Sequence, residues 1–196
     1  MKIWIKEKIK EGLDEIKTRE KGVWKSGMSH RIYQTSKNPN VLYKVGREVE
    51  VMEWSKLFKK FPKLFPKVYK VGRINSSDNV DDGWMYVEIE KLDTQRVERE
   101  WNLLEETLEN MAVISDESLG SLEYYFQDAI TDSDYEKEIS KKVKQLAPNV
   151  YPIYVKWITF LKRLIHISEM TINREPDIHR YNFAYSADNT LKCIDI

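Results

Sequence analysis

Asp177-Ile178-His179-Arg180-Tyr181-Asn182, continued from Phe183 to Asp195 as FAYSADNTLKCID, sets Asp177, His179, Asn182 and Asp195 at intervals of two, three and thirteen residues. Phosphoryl transfer needs a carboxylate to orient the attacking hydroxyl and hard oxygen ligands to hold magnesium, and three of these four side chains carry such oxygens. Asp177 is the candidate base; Asn182 and Asp195 are the candidate metal ligands. Between the last two, Phe183 to Tyr185 suits a short strand, Ser186 to Asn189 a turn, and Leu191 to Ile194 a returning strand. A hairpin of that kind brings Asn182 and Asp195 to the same end. Taken alone, D-x-H-x-x-N is weak, because a turn with a hydrogen-bonding Asp and Asn spells the same letters.

An Asp followed five residues later by Asn, and after a hairpin by a metal-binding Asp, resembles the catalytic loop of the protein kinase-like superfamily. The D-x-H-x-x-N form is nearest the aminoglycoside phosphotransferase branch, since eukaryotic protein kinases usually have Lys where His179 stands. The resemblance implies an α+β, two-lobed fold with a five-stranded antiparallel sheet and one helix in the N-terminal lobe, and a mainly helical C-terminal lobe. It also implies ATP and Mg2+, a hydroxyl-bearing acceptor on a protein or small molecule, and His179 assisting near the transferred group.

Composition sets outer limits. A chain of 196 residues can bury a real core as one domain or two small lobes. Its 32 basic and 32 acidic residues cancel, so no global field points to nucleic acid. Cys193 is the single cysteine, which excludes an internal disulfide, fits a reducing cytoplasm and suits a buried structural thiol. The opening MKIWIKEKIKEGLDEIK has no signal-peptide core, and no stretch reaches the roughly 18 to 20 apolar residues of a membrane span. Ile5, Ile9, Leu13 and Ile16 recur at helical spacing, so residues 1–21 read as an amphipathic helix that packs on the protein or a partner.

Residues 22–92 read as the N-terminal lobe. From Val23 the pattern is that of strands, with the turn Ser36 to Asn40 between Gly27–Tyr33 and Val41–Val45. By resemblance Gly27 and Ser29 lie in a loop over the nucleotide, Ile32 contacts adenine, and Lys44 contacts the phosphates. The loop departs from the pattern, because Met28 and His30 stand where protein kinases usually have further glycines that let backbone approach phosphate. REVEVMEWSKLFKKF is a helix whose apolar face includes Val51, Met52, Trp54, Leu57, Phe58 and Phe61. Glu48, with Glu50 as the alternative, is the expected partner of Lys44. Strands at 65–72 and 84–90 complete the five-stranded sheet and run into a hinge, where Ile89 backs the pocket and the backbone of Glu90, Lys91 and Leu92 meets adenine.

Residues 93–196 read as helices at 95–110, 117–130, 134–146 and 151–170, followed by the Asp177 loop and its hairpin. His166 on the last helix reads as a core or boundary side chain, and three scattered histidines with one cysteine offer no zinc site. One residue follows Asp195 where protein kinases continue into an activation segment, so the chain resembles a reduced kinase, in economy like small phage-encoded ones, or a fragment. The leading expectation is a phosphotransferase. The alternative is a catalytically inactive pseudokinase or nucleotide-binding interaction module that acts on a protein partner.

Overall fold

Val41, Tyr43 and Val45 alternate with Leu42, Lys44 and Gly46, a period-two run suited to a strand covered on both faces. In the computed structural model they form the middle of β2 (Asn38–Arg47), and all but the half-buried Leu42 are buried. The structure describes residues 31–35, 38–73, 84–114, 121–172 and 176–194. The expected N-terminal helix, Gly27, Ser29 and Asp195 lie outside the described residues. The chain divides into two compact units, with the break between Leu92 and Asp93.

In the first unit β2 lies between β1 (Arg31–Thr35) and β4 (Trp84–Glu90), and β4 is flanked in turn by β3 (Val68–Arg73). All pairs are antiparallel. Among the described residues the sheet has four strands and not the expected five, and the remaining expected strand falls in the segment from Val23, outside them. The expected turn is shorter than its sequence suggests, because Asn38, Pro39 and Asn40 already belong to β2. Pro39 is tolerated there because it precedes the run Val41–Arg47 that pairs with β4, so its missing N–H costs that ladder nothing.

Helix α1 (Glu48–Lys60) follows β2 without a break and packs on β2, β3 and β4. Glu50 accepts the Arg47 N–H at 3.0 Å, Glu48 and Glu50 lie in the first turn, and Lys59 and Lys60 in the last, all in keeping with the helix dipole. Pro62 lies just beyond its C-terminus, where it cannot continue the ladder. Val51, Trp54, Leu57 and Phe58 form the buried face, and Phe58 stacks on Phe65 with ring centroids 5.2 Å apart. Burying one such ring contributes about 1.5–3 kcal/mol, more than a surface ion pair, so packing seats this helix. Met52, expected on that face, is 39% exposed because it falls at its edge.

The second unit is helical. Its helices are α2 (Gln95–Asn110), α3 (Ser121–Thr131), α4 (Ser133–Leu146) and α5 (Tyr151–Ile172), followed by the hairpin β5 (Phe183–Tyr185) and β6 (Leu191–Cys193). Asp93 opens α2 by accepting the Gln95 N–H at 3.0 Å, and Asp132 caps α4 through the N–H groups of Asp134 and Tyr135, both at 3.0 Å. The core gathers around Trp157 of α5, which meets Trp101 of α2 edge-on at 5.4 Å, Phe126 of α3 at 6.1 Å and Phe183 of β5 at 5.4 Å. Cys193 is buried. His166, read as a core or boundary side chain, is instead exposed, because the buried stripe of α5 runs through Leu161, Leu164 and Ser168 and leaves position 166 outside it. Among the described residues no helix is long and apolar enough to cross a membrane.

Candidate active site

Pro176 and Ile178 turn inward and are buried, which leaves Asp177 between them exposed to solvent. The chain then folds back on itself: His179 N–H donates to the Asp177 carbonyl at 2.9 Å, and Asn182 N–H to the His179 carbonyl at 2.8 Å. A single 3-10 turn, Arg180–Asn182, results. It brings the Asn182 side chain over Asp177, where Nδ2 donates to the backbone oxygen at 3.0 Å and to Oδ2 at 3.1 Å. With the amide nitrogen so committed, Oδ1 has no hydrogen bond among the described residues.

The hairpin begins at the next residue. Phe183 pairs with Cys193, Ala184 with Lys192 and Tyr185 with Leu191, and Ile194 N–H donates to the Asn182 carbonyl at 2.8 Å. Asn189 takes the left-handed conformation that closes the turn, with φ 62°. Asn182 and residue 194 are thus neighbours at one end, as the sequence requires if Asp195 is to join Asn182 at a metal.

His179 is turned toward its own unit. Nδ1 accepts the Tyr181 N–H at 3.4 Å, and Nε2 faces Glu123 Oε1 of α3 at 3.4 Å. Arg180 lies against Tyr181, its Cζ 4.9 Å from the ring centroid. Burial holds the Glu123 carboxyl above the usual carboxylate range; His179 and Arg180 oppose this, and Asp177 and Glu105 add to it. Burial, with Glu109 nearby, likewise pushes Glu105 up. The loop therefore faces two carboxyls from α2 and α3 that no spacing in the sequence ties to it.

In the first unit Lys44 stands opposite Ile32 of β1 and Val87 of β4 in the strand register. It is 1% exposed, with Nζ 3.9 Å from the centroid of the Trp54 ring and 6.0 Å from that of Phe58. Glu48 is engaged elsewhere: its Oε1 meets Arg73 Nη2 of β3 at 2.5 Å. Ile89 is fully buried between Leu42 and Val68 in the register. At the end of β4 the Glu90 N–H donates to the Lys67 carbonyl at 3.0 Å, and Glu90 Oε1 accepts the Lys67 N–H at 2.8 Å. Lys91 N–H donates to the Asn40 carbonyl at 3.1 Å, so Leu92 is the expected hinge position whose N–H has no partner among the described residues.

No protein-family model, curated protein or solved structure matches the chain, so a role for these residues rests on their own chemistry. Among the described residues no group of three or more His, Cys, Asp and Glu side chains converges as a metal site. The donors at issue are of another kind. The amide oxygen of half-buried Asn182 is a hard donor, of the type magnesium takes and zinc does not favour.

Proposed function

We propose that the protein is an ATP- and magnesium-dependent phosphotransferase that moves the γ-phosphoryl group to a hydroxyl on a protein or small molecule. The pairing of Asn182 with Asp177 carries the reading. One side chain holds the carboxylate in place through its nitrogen, which leaves its oxygen available to a cation, at the head of a hairpin that leads to Asp195.

Exposed Asp177 orients the acceptor hydroxyl and takes its proton. The acceptor oxygen bonds to the γ-phosphorus, the bond from that phosphorus to the bridging oxygen breaks, and its electron pair leaves with ADP. Asn182 and Asp195 would hold magnesium, which would supply neutralisation of the phosphate charge. Lys44 contacts the phosphates, Leu92 offers its N–H to adenine, and His179 keeps the loop in shape between Tyr181 and Glu123. With Cys193 as the single thiol, we place the protein in a reducing cytoplasm.

The second reading is a nucleotide-binding module without catalysis. In its favour, Glu48, the first of the two helix carboxylates expected at Lys44, is bound to Arg73, which leaves Glu50 as the other candidate. The deciding experiment is thermal unfolding with ATP, with and without magnesium, followed by labelled-phosphate transfer to a broad acceptor panel. A magnesium-dependent shift with transfer supports the enzyme, a shift without transfer supports the module, and no shift at millimolar nucleotide sinks both.

A further inference from the structure

Asn182 owes its place to the hairpin that begins beside it, and the first two turns of α2 grip that hairpin at several points. Asp93 and Tyr185 exchange backbone hydrogen bonds at 2.7 and 2.8 Å. The Tyr185 hydroxyl donates to Glu100 Oε2 at 2.6 Å, while its ring has two cations near it, Arg96 at 4.2 Å and Lys156 at 4.8 Å from the centroid. Glu100 is itself fixed by Lys156 at 2.6 and 2.7 Å and by Trp157 at 3.0 Å. At the far end Arg96 Nη1 donates to Asn189 Oδ1 at 2.7 Å, in the turn. A three-residue strand pair with a short turn is marginal by itself, and these ties supply what its own ladder does not.

We propose that Glu100 and Arg96 are positioning residues for metal binding, acting through Tyr185 and Asn189 to hold the hairpin that aims Asn182. The proposal rests on the phosphotransferase reading above. It differs from a purely structural account in saying that the ties serve ligand geometry, as outer-shell partners of metal ligands do.

The test uses the full chain and two substitutions that remove no ligand. Tyr185→Phe deletes only the hydroxyl, and Asn189→Gly deletes the acceptor for Arg96 while suiting the left-handed turn. ATP affinity is measured in magnesium and in a chelator, with amide hydrogen exchange of Tyr185 and Ile194 followed in parallel. In the double variant the magnesium-dependent gain in affinity is expected to fall about tenfold, with magnesium-free affinity changed less than about twofold and both amides exchanging faster. Should Tyr185→Phe fail to fold, Asn189→Gly on the exposed turn gives the same comparison with a smaller loss. Unchanged exchange overturns the proposal whatever the nucleotide data show. So does a magnesium-dependent gain that survives the double substitution but is abolished by Asn182→Ala. A wild type with no magnesium-dependent gain removes the phosphotransferase reading, and the positioning role with it.

Discussion

Lys44 Nζ lies 3.9 Å from the centroid of the Trp54 ring, and the lysine is 1% exposed. A cation over an indole face gains about 2 kcal/mol when desolvated, whereas taking an ammonium out of water costs several, so the ring by itself does not offset the burial. Lys44 is thus a cation held inside the first unit, which is where the phosphotransferase reading needs one. Lys44→Met fills the same volume, keeps the packing on Trp54 and removes the cation. It should weaken ATP binding by roughly tenfold or more, the loss of a charge-assisted contact worth about 1.5–3 kcal/mol, and leave adenosine binding unchanged. Calorimetric titration with both ligands checks this, and equal losses for ATP and adenosine would remove Lys44 from the phosphates.

Gly46, two residues along β2, has the same ring for a neighbour. A Cβ there would lie 2.8 Å from Trp54 Cη2 and 3.2 Å from Glu50 Oε2. Gly46→Ala is therefore expected to displace the buried indole and lower stability by about 1–3 kcal/mol, read as a lower urea midpoint at unchanged slope. Unaltered stability would mean that α1 shifts freely on the sheet.

What the sequence made legible was local. The turn letters of Ser186 to Asn189 between two apolar runs gave the hairpin, and helical periodicity gave α2, α4 and α5 to within two residues at each end. Distant pairings were not legible: nothing in the spacing of Glu48 announces Arg73, 25 residues on, and nothing in Glu123 announces His179. Glu100 did leave a signal, because it interrupts the buried stripe Val97, Trp101, Leu104 and Leu108 with a charge that has to find partners. Lys44 among the buried residues of β2 is the same kind of signal.

Glu100 also fixes an acid response. Burial pushes its carboxyl up, but hydrogen bonds from Lys156, Tyr185 and Trp157 outweigh this and hold it below the ordinary 4.5. A depressed carboxyl stabilises the fold at and above its unfolded value, and that contribution drains away as pH falls below about 4.5. Glu123 and Glu105 are raised, so their protonation acts above that window and with opposite sign. Glu100→Gln is expected to cost about 1–3 kcal/mol at neutral pH, because the buried Tyr185 hydroxyl and Trp157 N–H and the half-buried Lys156 lose a charged acceptor, and to flatten the fall in stability below pH 4.5. Denaturant titrations at several pH values measure both; an unchanged acid limb would show that other groups control it.

Asp177 and Asn182 share a hydrogen bond yet are assigned different partners, the acceptor hydroxyl for the carboxylate and a cation for the amide oxygen. Asp177→Asn preserves shape and removes the proton acceptor. It is expected to abolish transfer, by about 100-fold or more as for loss of a general base, while magnesium-dependent ATP binding stays close to wild type. Asn182→Ala removes the proposed ligand together with both hydrogen bonds to Asp177, and is expected to reduce nucleotide binding in magnesium and transfer together. Radiolabel transfer and thermal shift, run side by side on the two variants, separate the roles. If Asp177→Asn lowers ATP binding as much as Asn182→Ala does, the two residues act as one structural turn. If the wild type binds ATP and magnesium but transfers to no acceptor, and Asp177→Asn matches it in cells, the carboxylate has no proton to take and the protein is the binding module.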